Sequence, residues 1–484
     1  MATTTIQPSN APSRRKTPEN ALLSVMRDPR KVLAWVSVTP NWLRTAFVVN
    51  VFLSVTFALA IRHAAEGQYQ AVKTIAKDAA PSILAGQGMR ASLADMHSNL
   101  ANELLAEPGK GKRAADDFNK RRSEAAEDLL AAARNITYTG EVPPVRTVLN
   151  ELPRYEEFAA RARLLHDQRN AQFLAQHQAA DEIVRTKLLP AIDDLVAVNQ
   201  RELDRAYQTE KTAAMVAWQL VLWTGAALLA AIVGLKVLLY LRMRRVVNPP
   251  LLTAAVLTAG GWLWALVALL QSSSDIKVAK QDAFDSIAVL EAARATAYEA
   301  NGDESRWLLN KMQGGKPDQI QFYANSFQEN AAKIAATPSH LSGVELLAEI
   351  DRVQKSPAAL TGYLARELNN ITFPNEFVAA KETLQKFLDY LKIDQQIRDL
   401  KDEQQAVELC LGTKPGQSNW AFEQFDAALS KTNKINRSYF ASSLADATGW
   451  LAGLDWLLPL GLALAVSLLT FLGLRPRLNE YAIY

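Results

Sequence analysis

The chain has 484 residues, 49% hydrophobic and 21% charged, and its 53 basic and 50 acidic residues leave a formal net charge of +3. The charges are interspersed, so no basic tract points to nucleic acid as a partner. A single cysteine, Cys410, and five scattered histidines rule out an intramolecular disulfide and give no metal-ligand spacing, and no cofactor fingerprint stands out.

The mean hydropathy of −0.06 hides apolar runs concentrated in a few places. Residues 1–44 form an arm carrying Arg14, Arg15, Lys16, Arg27, Arg30, Lys31 and Arg44, with Trp35, Pro40 and Trp42 giving 33–43 an amphipathic, membrane-hugging pattern. Apolar runs long enough to cross a bilayer follow at 45–61, 213–240, 251–270 and 457–474. Interruptions such as Lys236 lie near a run's end, where a lysine can reach the interface, and Trp218, Trp262, Trp264, Trp450 and Trp456 read as an aromatic belt. Ala58-Leu59-Ala60 resembles a signal-peptidase site, but the preceding arm is too long for an ordinary leader, and a retained span is the preferred reading.

Arginine and lysine flank the first span, fill the hairpin 241–250 through Arg242, Arg244 and Arg245, and follow the fourth span at Arg475 and Arg477. By the positive-inside rule both termini and this hairpin are cytoplasmic, and 62–212 and 271–456 are extracytoplasmic. The cytoplasmic pieces, with 475–484 as a short tail, are too small for a folded catalytic domain, and the chain reads as a non-enzyme.

The two extracytoplasmic segments are copies of one another. Asp78, Ser82, Ile83, Arg90, Leu104 and Leu105 recur as Asp282, Ser286, Ile287, Arg294, Leu308 and Leu309, each pair 204 positions apart. Asn135-Ile136-Thr137 recurs as Asn370-Ile371-Thr372, and Asp194, Arg205 and Tyr207 recur as Asp426, Arg437 and Tyr439, at wider offsets that place an insertion in the second copy. Leu93, Met96, Leu100 and Leu104, and Leu188, Ile192, Leu195, Asn199 and Leu203, fall at helical spacing. Breaks at Pro108-Gly109, at Gly140 with Pro143-Pro144 and near Ala179 predict four helices in the first copy. The second breaks at Gly314-Gly315, Pro338, Pro357, Pro374 and 412–416. The expected fold is all-α: a four-pass membrane protein with two tandem four-helix-bundle domains, whose first and last helices run directly into the spans.

Catalytic constellations are missing. Gly86-Gln87-Gly88 sits inside a helical pattern and lacks the rest of a nucleotide fingerprint; His97 reads as a bundle histidine; adjacent Asp116-Asp117 and Asp193-Asp194 point to different helix faces. Asn135 and Asn370 read as helix-terminating residues. Arg90 with Asp194, echoed by Arg294 with Asp426, predicts an interhelical ion pair in each copy that fixes bundle register; the sharper alternative is that Arg90 and Arg294 clamp a carboxylate ligand.

The stretches 80–105 and 188–207 (LLPAIDDLVAVNQRELDRAY) resemble the four-helix-bundle sensor domains of bacterial chemoreceptors. The tandem layout, the hairpin 242–249 leading straight into the third span, and 295–309 (ATAYEANGDESRWLL) resemble the four-pass actinobacterial sensors of the GlnX type. That resemblance implies a relay in a bacterial plasma membrane that reads an extracytoplasmic solute-binding protein and passes its state to a cytoplasmic Ser/Thr kinase; the arm 1–44 and the hairpin with Arg242, Arg244 and Arg245 are expected to engage the output partner. The expected function is a transmembrane sensor of a small solute, an amino acid among the options, or of such a binding protein, compatible with a homo-oligomer in the bilayer. The alternative is a scaffold whose bundles contact another envelope complex. A transporter ranks third, since the spans carry few polar or broken positions.

Overall fold

The computed structural model describes residues 39–243, 248–337 and 342–480. Among these the structure is helical throughout apart from turns and one isolated antiparallel bridge, Ala336 to Thr361. The amphipathic arm before residue 39, Arg244 and Arg245 of the hairpin, and the Pro338 break lie outside the described residues.

The first copy is built from α1 (Thr39–Lys73), a π-helical segment (Thr74–Ala79), α2 (Ala80–Leu105), α3 (Lys112–Arg134), α4 (Val142–Asp167), α5 (Phe173–Ile183), a second π segment (Val184–Leu188) and α6 (Leu189–Met243). The second follows with α7 (Pro249–Lys277), a π segment (Val278–Phe284), α8 (Asp285–Met312), α9 (Pro317–Ala335), α10 (Gly343–Val353), α11 (Tyr363–Asn369), α12 (Glu376–Asp399), α13 (Glu403–Leu411), α14 (Ser418–Leu451) and α15 (Leu457–Glu480).

Local chemistry explains most boundaries. Gly109 takes φ +81° in the turn after α2, and α4 carries prolines in its first turn, where a missing N–H leaves no hydrogen bond unmade. Asn135 ends α3 and donates from Nδ2 to the Asp78 carbonyl and to Ser82 Oγ, both at 2.8 Å. Asn370 repeats this on Asp282 and Ser286, at 3.1 and 2.9 Å. Glu141 accepts the Thr137 and Tyr138 N–H groups, as Glu376 accepts those of Thr372 and Phe373. At these helix ends the two copies repeat each other bond for bond.

Two expectations need correcting. Ala179 lies inside α5; the break falls earlier, at the turn after α4, where Arg169 takes φ +54°. Residues 41–105, 173–241 and 249–312 are unbroken helical rods, but the fourth is interrupted. α14 stops at Leu451, the chain turns through Gly453 at φ +82°, and α15 begins at Leu457. A left-handed residue cannot continue an α-helix, and glycine adopts it without a Cβ penalty.

The described residues divide into two compact units. Among the described residues, one gathers 39–65 with Val216–Leu269 and the part from Gly453 onward, and holds apolar stretches of the four helices long and apolar enough to cross a membrane. Its outer surface carries Phe52, Trp223 and Leu457, each more than 60% exposed, as a lipid-facing surface requires. Inside, Leu43 packs with Leu235, Leu239, Leu251 and Leu474, and glycines let helices approach. A Cβ on Gly225 of α6 would lie 2.3 Å from Trp262 Cδ1 of α7, and one on Gly261 would lie 2.7 Å from Leu462 of α15. Asn248 caps α7 and donates to the Gly473 carbonyl at 3.0 Å.

The other unit, Glu66–Met215 with Leu270–Ala452, holds both helical copies around one core. The first bundle helices, α2 and α8, pack directly on each other. Both are buried nearly all round: Leu93, Met96 and Leu100 on α2, and Ala293, Ala300 and Leu308 on α8, are fully enclosed. Two reciprocal side-chain bonds cross between them, Ser98 Oγ to Asn301 Oδ1 at 3.1 Å and Ser305 Oγ to Asn102 Oδ1 at 2.6 Å.

Gly225→Leu is expected to disrupt the α6 to α7 contact and destabilise the membrane unit by about 1–3 kcal/mol. Thermal unfolding in detergent, with Gly234→Leu as the control because its Cβ would meet open space, checks this.

Candidate functional site

A cleft of about 410 Å³ opens in the bundle unit where the two copies meet. Its deep wall is polar: Asn99 and Asn102 from α2 and Asn301 from α8 line it, and all three are buried. Beside them Asp95 of α2, Arg121 of α3 and Tyr298 of α8 form one connected group. Arg121 Nε donates to Asp95, its Nη1 to Glu124 at 2.7 Å and its Nη2 to the Tyr298 hydroxyl at 2.7 Å. One guanidinium thus ties the second helix of copy one to the first helices of both copies. The exposed rim is bridged by Arg113 and Glu423, 2.7 Å apart.

The lining contains four basic side chains (Lys110, Arg113, Lys120, Arg121) and four acidic ones (Asp95, Asp117, Glu423, Asp426). Burial pushes the Asp95 carboxyl up to about 6, more than the Arg121 charge lowers it. Burial also raises the Tyr298 hydroxyl, with Asp426 and Asp95 adding to the effect. The cleft therefore has neutral amides at its base, both signs of charge on its walls and a carboxyl that changes state just below neutral pH. Among the described residues no group of three or more His, Cys, Asp or Glu could hold a metal.

Arg294 of α8 grips Asp426 of α14 with both nitrogens, Nε to Oδ1 at 2.7 Å and Nη2 to Oδ2 at 3.0 Å, beside the cleft that Asp426 lines. Arg90 reaches Asp193 at 3.0 Å and, across the copies, Glu299 at 2.9 Å. Asp194, expected as its partner, is exposed, and Arg90 is not among the cleft-lining residues. The π segment ahead of α6 shifts the register by which the last helix presents its aspartates. Arg242 lies in α6, whereas Arg244 and Arg245 fall outside the described residues.

His97 belongs to a buried network across the copies. Asp181 of α5 accepts from Tyr323 of α9 at 3.0 Å, lies 3.0 Å from His97 Nε2, and pairs with Arg185 at 2.8 Å. Burial opposes ionisation of Asp181, but His97 and Arg306 outweigh it and hold the carboxyl well below its usual range. Burial lowers the His97 imidazole, so the neutral ring donates to the carboxylate. Asp95, Asn99, Asn102, Arg121 and Tyr298 were not singled out from the sequence. The available signal was polar residues at corresponding places of the first bundle helix in both copies, Asp95 with Glu299 and Asn99 with Asp303.

Residues 71–208 match the family model described as the actinobacterial sensor domain, which supports a sensing role for a chain of actinobacterial type. No curated protein and no solved structure matches the chain.

Asp181→Asn removes the anion facing His97, Arg185 and Arg306 and should cost about 3–5 kcal/mol of bundle stability. Denaturant unfolding of the full chain in detergent, followed by tryptophan fluorescence, measures the loss; a cost under about 1 kcal/mol would show the network to be dispensable.

Proposed function

We propose that this membrane protein is a non-enzymatic sensor whose inter-copy cleft binds a small zwitterionic solute of the amino-acid class. The observation that carries the reading is the wall chemistry. Equal numbers of cationic and anionic side chains surround amide-lined space of about 410 Å³, room for one small solute. A simple anion would meet Asp95 and Asp426, and a simple cation would meet Arg121; a molecule carrying both charges answers both. In this reading the ammonium sits against Asp95 and Asp426 and the carboxylate against Arg121 or Arg113. Entry requires the Arg113 to Glu423 bridge at the rim to part.

Two of the helices that line the cleft, α2 and α8, continue toward the spans. α2 belongs to the rod 41–105 and α8 to the rod 249–312, so displacement of either wall is delivered along unbroken helix. We place the bundle unit on the extracytoplasmic side, with both termini and the hairpin around Arg242 in the cytoplasm, where a Ser/Thr kinase of the kind implied by the GlnX-type resemblance would be the output partner. The charged rim of Lys110, Arg113, Lys120 and Glu423 favours a second reading, in which a loaded solute-binding protein docks there instead of the free solute.

The test is calorimetric titration of the full chain in nanodiscs with individual amino acids. Arg121→Ala and Asp426→Asn should each weaken binding about tenfold or more. The pH dependence has a defined sign. Asp95 has a folded pKa raised above its ordinary value, so ionising it opposes folding in the free protein, and a ligand cation against it favours the carboxylate. Affinity should therefore fall as pH drops through about 6 and be roughly tenfold weaker at pH 5 than at pH 7. Absence of heat with every amino acid would remove the free-solute reading and leave the binding-protein one.

A further inference from the structure

The duplication predicts a second position equivalent to the open cleft. Asn99 and Asn102 sit at the base of the open cleft; 204 positions on, the corresponding residues of α8 are Asp303 and Arg306. Both are enclosed, at 2% and 5% exposure, and Arg306 Nη2 pairs with Asp303 Oδ1 at 2.8 Å. The carboxylate is answered on both oxygens, whereas Arg306 Nε is buried without a hydrogen-bond partner. Asp303 Oδ2 accepts from Ser326 at 2.7 Å and Asn330 at 3.1 Å, both on α9. The guanidinium carbon lies 5.6 Å from the Tyr323 ring centre, and Arg306 Nε is 3.7 Å from Asp181 of the other copy. α9 is the second helix of its copy, as α3, which supplies Arg121, is of the first. The first copy leaves neutral amides and open space, whereas the second places a carboxylate and a guanidinium of its own.

We infer that the second solute position is permanently occupied by the Asp303–Arg306 pair, an internal zwitterion, so that the chain takes one solute and not two. This deepens the amino-acid reading of the open cleft and rests on it for the identity of the solute. The plug itself does not. In a symmetric pair of clefts two ligands would push both copies alike. A fixed internal occupant holds one half in its filled arrangement, and the solute changes only the other.

Two measurements on the full chain in nanodiscs test this. The first needs no solute. Arg306→Ala leaves a guanidinium-shaped vacancy beside Asp303 and Asp181, so its melting temperature should fall by several degrees and methylguanidinium at about 10 mM should recover roughly half of that, with no effect on the unsubstituted chain. Arg306→Gln reads the same way if the alanine variant does not fold. No loss of stability, or a loss that methylguanidinium leaves untouched, overturns the plug. The second measurement counts sites by calorimetry: one amino acid per unsubstituted chain, and two in Asp303→Asn/Arg306→Asn, which gives the second copy the amides of the first. Two per unsubstituted chain overturns the inference. No binding by either chain defeats the amino-acid reading, and methylguanidinium recovery then decides the plug alone.

Discussion

Everything in the bundle unit depends on the contact between α2 and α8. These are the most enclosed of the described helices, and each is covered further by its own bundle. An apolar seam alone would let two such helices slide, because dispersion is nearly indifferent to register. The reciprocal Ser98 to Asn301 and Ser305 to Asn102 bonds remove that freedom, since a slip along the seam would strand four buried polar groups. The cleft lies on one flank of this seam and the His97, Asp181 and Arg306 network on the other.

The fold was largely legible in the amino-acid order because its strongest signals are one-dimensional. Apolar runs marked the four spanning helices, and the constant spacing of Asp78, Ser82 and Arg90 from their counterparts exposed the duplication. Asn135 and Asn370 read correctly as residues that end a helix, although their bonds to Ser82 and Ser286 could not be foreseen. The interruption at Gly453 was hidden because the sequence on either side of it is apolar and helix-compatible, and only the positive φ reveals it.

The site was far less legible, for a physical reason. Treating each copy as its own bundle confines every inferred pair to one copy, whereas the informative pairs cross between copies: Arg121 with Tyr298, Arg90 with Glu299, Asp181 with Tyr323. The spacing of Leu93, Met96, Leu100 and Leu104 marks one apolar stripe on α2 and assigns no role to the polar residues beside it. With both faces buried, the same residues are the interior of an interface. Register added a second difficulty. Choosing between Asp193 and Asp194 as the partner of Arg90 means resolving about 100° of helix rotation, which spacing alone does not do across a π segment.

Those π segments have a consequence of their own. They lie within the three continuous rods, and two occupy corresponding positions, Thr74–Ala79 and Val278–Phe284. A π turn holds one residue more than an α turn, so each is a stored surplus of one residue. Returning that residue to ordinary α-helix would turn everything beyond it by about 100° and advance it by about 1.5 Å without breaking the rod. At matched positions in its two copies the chain therefore holds one residue more per turn than plain α-helix would.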